Sequence, residues 1–356
     1  MMGARRTVCK LAGAAAVAAL AFAAIAVLII TLIYAFTPHR CFLDVLNAQI
    51  VKQCQPGTAN EFRPFYARSD GEWGLPTPGE VVPGLEKLDQ NYGVIRAEME
   101  AAIFGTNGVG ENAQERADAL PPMHKLYNNI FLHKGSGATG ATTPIGRFFE
   151  PTVRAGQKLW SRLIYGEDAD IFDRIGSSDW RTFNLLLFHH PVPGNAEKCP
   201  RTLELLQSIP GIQSALFSVI KPGTYIPPHS DPAKGVIRYH LALRVPRPVR
   251  PPGCNSGRCE ERRCYIEVDC DYGRGCNLPD HTGSGGHRYR WKEGESVLFD
   301  DVFPHWVQND TDEVRVILFV DILRPLSGGA AALQRISDIA NFWHPGVRRL
   351  IRESRV

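Results

Sequence analysis

Between Leu11 and Phe36 the chain carries 24 hydrophobic residues in 26, broken only by Gly13 and Thr31. At 1.5 Å per residue a helix of that length is roughly 39 Å long, enough to cross a ~30 Å hydrocarbon core with tilt. A cleaved signal peptide has an apolar region of only about 7–15 residues, so the run reads as a retained transmembrane helix. Arg5, Arg6 and Lys10 precede it, whereas only Arg40 and Lys52 come soon after it. The positive-inside rule then puts residues 1–10 in the cytosol and the bulk of the chain across the membrane. The expectation is a single-pass type II membrane protein with its main domain on the lumenal side of the endoplasmic reticulum or secretory pathway.

Beyond the anchor the composition is ordinary. The whole chain is 44% hydrophobic and 22% charged, which excludes a disordered polypeptide. Gly and Pro together make 59 of 356 residues, suiting a turn-rich β architecture. Net charge is only +3, with +3 in residues 1–10 and +3 in residues 328–356, so the middle is slightly acidic. No basic field argues for nucleic acid. In the tail, Arg348, Arg349, Arg352 and Arg355 interleave with Val347, Leu350, Ile351 and Val356, reading as a solvated helix face or a face laid on an anionic surface.

Residues 37–82 mix Pro, Gly and polar residues and read as a membrane-proximal stalk. Within 83–171, an N-terminal flank, Leu85, Leu88, Tyr92, Ile95, Met99 and Ile103 recur at three- and four-residue steps, predicting a helix over 83–103. From Trp180 onward, short β-prone runs alternate with Pro-Gly, Glu-Gly and Asn-Asp turns. Cys41, Cys54, Cys199, Cys254, Cys259, Cys264, Cys270 and Cys276 lie beyond the anchor, five of them within 23 residues. Their C-x4-C-x4-C-x5-C-x5-C spacing departs from paired C-x2-C zinc modules, so disulfides are the expectation over structural zinc. Asn309-Asp310-Thr311 spells a glycosylation sequon. His189, His190, His281 and His287 have no partner pattern and read as surface or core histidines.

Two runs carry chemistry. In the first, Pro222-Gly223 makes a turn before His229-Ser230-Asp231, and an extended chain presents residues two apart to the same side. In the second, a hairpin about Glu293-Gly294 leads to a strand ending near Asp300-Asp301, then His305, then a strong strand from Val314. Two His and one carboxylate form a facial set that leaves three adjacent positions open on Fe(II), two for a bidentate cosubstrate and one for O2. Arg238 shares a strand face with His240, and Arg315 shares one with Ile317 and Phe319. A buried arginine requires a counter-charge. Either a structural ion pair or a dicarboxylate ligand supplies it, and planar guanidinium suits the latter.

From Cys199 onward, SIPGIQSALFSVIKPGTYIPPHSDPAKGVIRYHLAL together with FDDVFPHWVQNDTDEVRVILFVDILRP resembles the aspartyl/asparaginyl β-hydroxylase family. The resemblance covers roughly residues 172–326. It implies a mainly β fold, a double-stranded β-helix (jelly-roll or cupin-like) oxygenase core with flanking helices, and Fe(II), 2-oxoglutarate and O2 as cofactor and cosubstrates. It further implies His229, Asp231 and His305 as iron ligands, and Arg315 with Ser218 at the distal carboxylate of 2-oxoglutarate. Arg238 and His240 are implied near its other carboxylate, and Trp180 matches a pocket tryptophan.

The animal peptide hydroxylases of that family lack the carboxylate ligand, whereas Asp231 is present here, as in the bacterial members. The HSDPAKGVIRYHL and HWVQNDT runs also resemble the lipid A hydroxylase branch. The segment 247–287, with its five cysteines, stands where the family has a short connection; it reads either as a cover over the site or as a surface elaboration. Residues 327–356 form a basic C-terminal tail. The resulting expectation is a dioxygenase that hydroxylates the β-carbon of Asp or Asn in a protein. The alternatives are hydroxylation of a lipid acyl chain and, in another class, a catalytically silent β-helix binding module.

Overall fold

The computed structural model describes residues 40–58, 60–105, 113–123, 179–231, 233–248, 263–269 and 287–356. The expected anchor at 11–36 and most of the 247–287 insertion lie outside these residues. Among the described residues, no helix is long and apolar enough to cross a membrane.

Two antiparallel sheets form the core. The larger contains β1 (Phe65–Arg68), β2 (Trp180–Leu187), β3 (His190–Pro191), β4 (Ile212–Ile220), β6 (Val236–Arg244), β9 (Ser296–Phe299) and β11 (Arg315–Leu323), in the order β1-β9-β6-β11-β4-β2-β3. The smaller contains β5 (Tyr225–His229), β7 (Cys264–Val268), β8 (His287–Arg290) and β10 (His305–Asn309), in the order β5-β10-β7-β8.

The position of β11 at the centre of its sheet explains why its sequence is almost continuously apolar. It pairs with β4 through Ile317↔Ser218 and with β6 through Phe319↔His240, so it has no free edge. Its even-numbered residues, Val316, Leu318, Val320 and Ile322, join Tyr239, Leu241 and Leu243 in an outer cluster covered by helices. Its odd-numbered Ile317 and Phe319 face Ile226, Ile266, Val268 and Val307 of the smaller sheet. Both faces are buried, and period-two alternation therefore separates two cores rather than core from water.

The helix expected over 83–103 is present as Glu86–Gln90 followed by α2 (Tyr92–Ile103). Leu85, Leu88, Ile95, Met99 and Ile103 are fully or almost fully buried against the outer face of the large sheet, beside α3 (Pro200–Gln207). The stretch expected as a stalk needs correction. Residues Arg40–Gln53 form a helix, α1, whose Leu46 and Ile50 are buried. Downstream, β1 pairs with β9 at the sheet edge through Phe65↔Phe299. The Glu293-Gly294 turn exists, with Gly294 at φ 82°, but it is not a hairpin: it carries the chain from β8 in one sheet to β9 in the other.

The C-terminal residues fold onto the domain as α4 (Gly328–Trp343) and α5 (Pro345–Glu353). Val347, Leu350 and Ile351 pack against Leu187 and Val192, so the apolar side of the basic tail meets protein. The β2–β3 connection helps hold these helices. Phe188 and His189 both have positive φ, 46° and 66°, a conformation that costs on the order of 1 kcal/mol or more for residues with a Cβ. Tertiary contacts offset that cost: His189 Nε2 lies 2.7 Å from Asp338, and His190 stacks on Phe342 with ring centroids 3.9 Å apart.

The cysteine expectation is corrected at three positions. Cys54, Cys199 and Cys264 are buried free thiols, and burial pushes Cys199 and Cys264 up to about 12. Cys254, Cys259, Cys270 and Cys276 lie outside the described residues. Asn309 has no exposure, and its Nδ2 donates to the carbonyls of Lys221 (3.0 Å) and Glu313 (2.9 Å), which leaves a glycosylating enzyme no access in the folded chain.

Candidate functional site

The two histidines expected to act together meet across the small sheet. His229 closes β5 and His305 opens β10, and they are register partners with ring centroids 4.1 Å apart. Strand β5 contains Pro227 and Pro228, which only an edge strand tolerates, and β5 is at the edge of its sheet. Each imidazole is oriented alike: Nδ1 of His229 faces the Pro227 carbonyl at 2.9 Å, and Nδ1 of His305 faces the Phe303 carbonyl at 2.9 Å. A neutral imidazole held this way donates from Nδ1 and presents the Nε2 lone pair outward, the form a metal ligand needs. Burial pushes His229 down to about 4, and burial with the neighbouring His229 pushes His305 well below the ordinary range. Both rings are neutral near pH 7.

Asp231 comes next on the same loop. Its Oδ1 accepts from the Ala233 N–H at 2.7 Å, and its Oδ2 lies 3.5 Å from Arg238. Arg238 also meets Asp301, and its Nε is 3.1 Å from Asp321, while its guanidinium lies over the Phe319 ring at 4.1 Å. One guanidinium thus serves three carboxylates. Burial first, and then repulsion from neighbouring aspartates (Asp300 for Asp231; Asp231, Asp300 and Asp321 for Asp301; Asp231 for Asp321), holds Asp231, Asp301 and Asp321 above the usual carboxylate range. Three carboxyl groups to one guanidinium, beside two neutral imidazoles, make a set of donors that a divalent cation would favour in its ionised form. Among the described residues, no three His, Cys, Asp or Glu side chains are already gathered as a metal cage.

Arg315 stands in a different electrostatic situation. It is 2% exposed, opens β11, and lies 4.6 Å above the Trp291 ring. Its Nη2 reaches Ser218 Oγ at 3.4 Å, and Ser218 in turn accepts from Trp180 Nε1 at 3.0 Å. Among the described residues, no carboxylate pairs with it, its Nε has no hydrogen-bond partner, and burial lowers it to about 10. His240 lies among Phe299, Phe319 and Trp291 with both ring nitrogens buried and without partners among the described residues. Burial, and then the charge of Arg315, push it well below its ordinary range. Trp291 Nε1 and Tyr289 Oη are likewise buried without partners among the described residues.

The structure therefore brings Trp180, Ser218 and Arg315 into one chain of contacts and His229 against His305, while Asp231, two residues beyond His229, meets Arg238. Arg238 is occupied by aspartates, so the ion-pair alternative describes it, whereas the open guanidinium is Arg315. Sequence reading missed Asp301 and Asp321 as partners of Arg238, and Trp291 as the platform under Arg315. Asp300, adjacent to Asp301, turns elsewhere: it accepts from Tyr66 Oη at 2.8 Å and Arg324 Nη2 at 2.5 Å.

Residues 157–272 and 278–325 match the family model described as aspartyl/asparaginyl beta-hydroxylase. Among curated relatives, the chain is 36% identical over 151 residues to "Ornithine lipid ester-linked acyl 2-hydroxylase" of Rhizobium tropici, covering 42% of this chain and 44% of that protein. It is 32% identical over 158 residues to "Aspartate beta-hydroxylase domain-containing protein 2" of Homo sapiens, covering 42% and 34%. To the human "Aspartyl/asparaginyl beta-hydroxylase" it is 26% identical over 168 residues, covering 46% and 18%. The chain spans less than half the length of these curated relatives.

Proposed function

We propose that this chain, whose residues 157–272 and 278–325 match the aspartyl/asparaginyl beta-hydroxylase family model, is a member of that family and an Fe(II)- and 2-oxoglutarate-dependent dioxygenase on a double-stranded β-helix. The observation that carries the reading is the pairing of two kinds of incomplete chemistry in one interior. On one side are imidazoles with pinned Nδ1 atoms and an excess of carboxylate; on the other is a buried guanidinium with no carboxylate partner among the described residues. The donor set suits a divalent metal, and the guanidinium suits a dicarboxylate.

His229, Asp231 and His305 would hold the iron, and Arg315 with Ser218 would hold the distal carboxylate of 2-oxoglutarate. When bound, these groups supply oxidative decarboxylation to succinate and CO2, with one oxygen atom of O2 inserted into a substrate C–H bond. The chain's own part is positional. The Pro227 and Phe303 carbonyls fix the imidazole tautomers, Arg238 turns one oxygen of Asp231, and the Trp180–Ser218 contact sets the hydroxyl that meets Arg315. Arg238, tied to Asp301 and Asp321, acts here as the orienter of Asp231; His240, with two unpartnered nitrogens, is the group placed for a ligand's second carboxylate. The apolar walls, Ile226, Val307, Phe319 and Trp291, exclude water.

For substrate, the order of the two expectations changes. Hydroxylation of a lipid acyl chain is favoured by the 36% identity to an acyl 2-hydroxylase and by the presence of Asp231. An Asp or Asn side chain in a protein is the second reading, supported by the 26% relative and the family's description. The test of the cofactor assignment is calorimetric. Mn(II) titrated into the full chain should bind, and 2-oxoglutarate should then bind, with Arg315→Ala losing about 10–100-fold in 2-oxoglutarate affinity. Absence of metal binding, or unchanged 2-oxoglutarate affinity in Arg315→Ala, overturns the assignment and leaves the silent binding module.

A further inference from the structure

The helix α4 presents a side that the domain does not cover. Ile336, Ile339 and Trp343 are 54%, 56% and 57% exposed, and their spacing of three and four residues puts them on one stripe. Single exposed apolar residues are ordinary; a stripe ending in tryptophan is not, because the transfer free energy of three large apolar side chains stays unrealised in water. The only acid of this helix, Asp338, faces the other way, toward His189 and Gln213. The charged residues near the stripe are basic: Arg335 is exposed on the same helix, and the Arg348 guanidinium of α5 lies 5.3 Å from the Trp343 ring. Arg352 and Arg355 are exposed further along the chain.

The chain's most apolar segment joins the domain through α1, which is tied to α4. Residues 11–36 lead, after three further residues, into α1. The far end of α1 is tied to the start of α4, since Gln53 Nε2 donates to the Ser327 carbonyl at 2.6 Å and its Oε1 accepts from the Ser327 N–H at 3.1 Å. A helix of 14 residues is about 21 Å long, so α4 starts roughly that distance from Arg40.

We propose that α4 rests on a phospholipid bilayer as an interfacial helix, with Ile336, Ile339 and Trp343 inserted at the acyl boundary and Arg335, Arg348, Arg352 and Arg355 against head-group phosphates. An apolar stripe, a tryptophan at its end and a rim of arginines are the composition such helices use. The contact is a second attachment, independent of any anchor at 11–36, and it fixes how the domain is tilted over the lipid surface. It does not rest on the substrate reading, because a lipid or a protein substrate can be met by a domain so held.

The experiment uses the full chain reconstituted into phosphatidylcholine vesicles with and without phosphatidylglycerol, with bromine-labelled phosphatidylcholine as a tryptophan quencher. The wild type should show a quenched fraction of fluorescence that Trp343→Tyr loses and that Ile336→Glu with Ile339→Glu reduces severalfold. Both variants alter exposed positions, and unchanged melting temperatures verify that they fold. Arg348→Gln with Arg352→Gln should diminish quenching more in the phosphatidylglycerol vesicles. Equal quenching in the wild type and Trp343→Tyr overturns the proposal. So does cross-linking of α4 to α4 of a second copy or to residues 11–36, which would assign the stripe to a protein occupant.

Discussion

His229 and His305 show how much of the site is local information. Each sits two residues after the carbonyl that fixes its ring, so the same short-range hydrogen bond sets both tautomers. That pattern is legible in the sequence as two histidines in proline-flanked strands. The partners of Arg238 are not legible, because Asp301 and Asp321 lie far along the chain and only sheet pairing brings them together. Nor does the Asp300-Asp301 pair announce which carboxylate serves Arg238 and which serves Arg324. His229→Ala and His305→Ala should each abolish metal binding by calorimetry while leaving the far-ultraviolet circular dichroism unchanged; retained affinity removes them from the metal site. Burial of the histidines also makes stability depend on pH. The folded site refuses the proton that an unfolded histidine takes near 6.5, so stability is full above that pH and falls as pH drops toward about 4. Denaturant unfolding across that window should be steeper for the wild type than for His229→Asn, and parallel curves contradict the burial argument.

At the level of elements, periodicity is what the sequence displays well. The three- and four-residue recurrence in 83–103 marks residues that are buried, and the alternating β11 marks two apolar faces. Ile95→Ala or Met99→Ala should destabilise by about 2–5 kcal/mol in denaturant titration, with little change in cosubstrate affinity, since both side chains lie on the far side of the large sheet from Arg315. Pairing partners are less visible. The Glu293-Gly294 dipeptide is readable as a turn, yet nothing local says that it switches sheets. The four-residue β1 is too short to show a period, and its place depends on β9. The His189–Asp338 pair that anchors α4 has its own pH signature. Its hydrogen bond to Asp338 raises His189, so the stabilisation is full below about 6.5 and is lost as pH rises through the higher folded value. His189→Ala should therefore lower the melting temperature more at about pH 6 than at about pH 9; an equal loss at both would assign the contact to packing alone.

For the whole molecule, the two sheets divide the labour. The large one carries Arg315, Ser218, His240 and Arg238 on its inner face, and the small one brings His229 and His305 against them, so the site exists only where both are assembled. The family resemblance is readable because the residues that carry it cluster in two short runs; the surroundings that set the charge state of His229, Asp231 and Arg315 belong to the assembled sheets. The central claim is that this interior couples 2-oxoglutarate turnover to C–H hydroxylation, with an acyl chain as the favoured substrate. The most direct measurement incubates the full chain with Fe(II), 2-oxoglutarate and O2 alongside an acylated lipid and an Asp- and Asn-containing peptide, and tracks succinate and product mass together. The expected result is succinate formation matched by gain of one oxygen atom on the lipid, both lost in Asp231→Ala. Oxygen gained on the peptide alone would contradict the substrate assignment, and no succinate under any of these conditions would contradict the oxygenase reading as a whole.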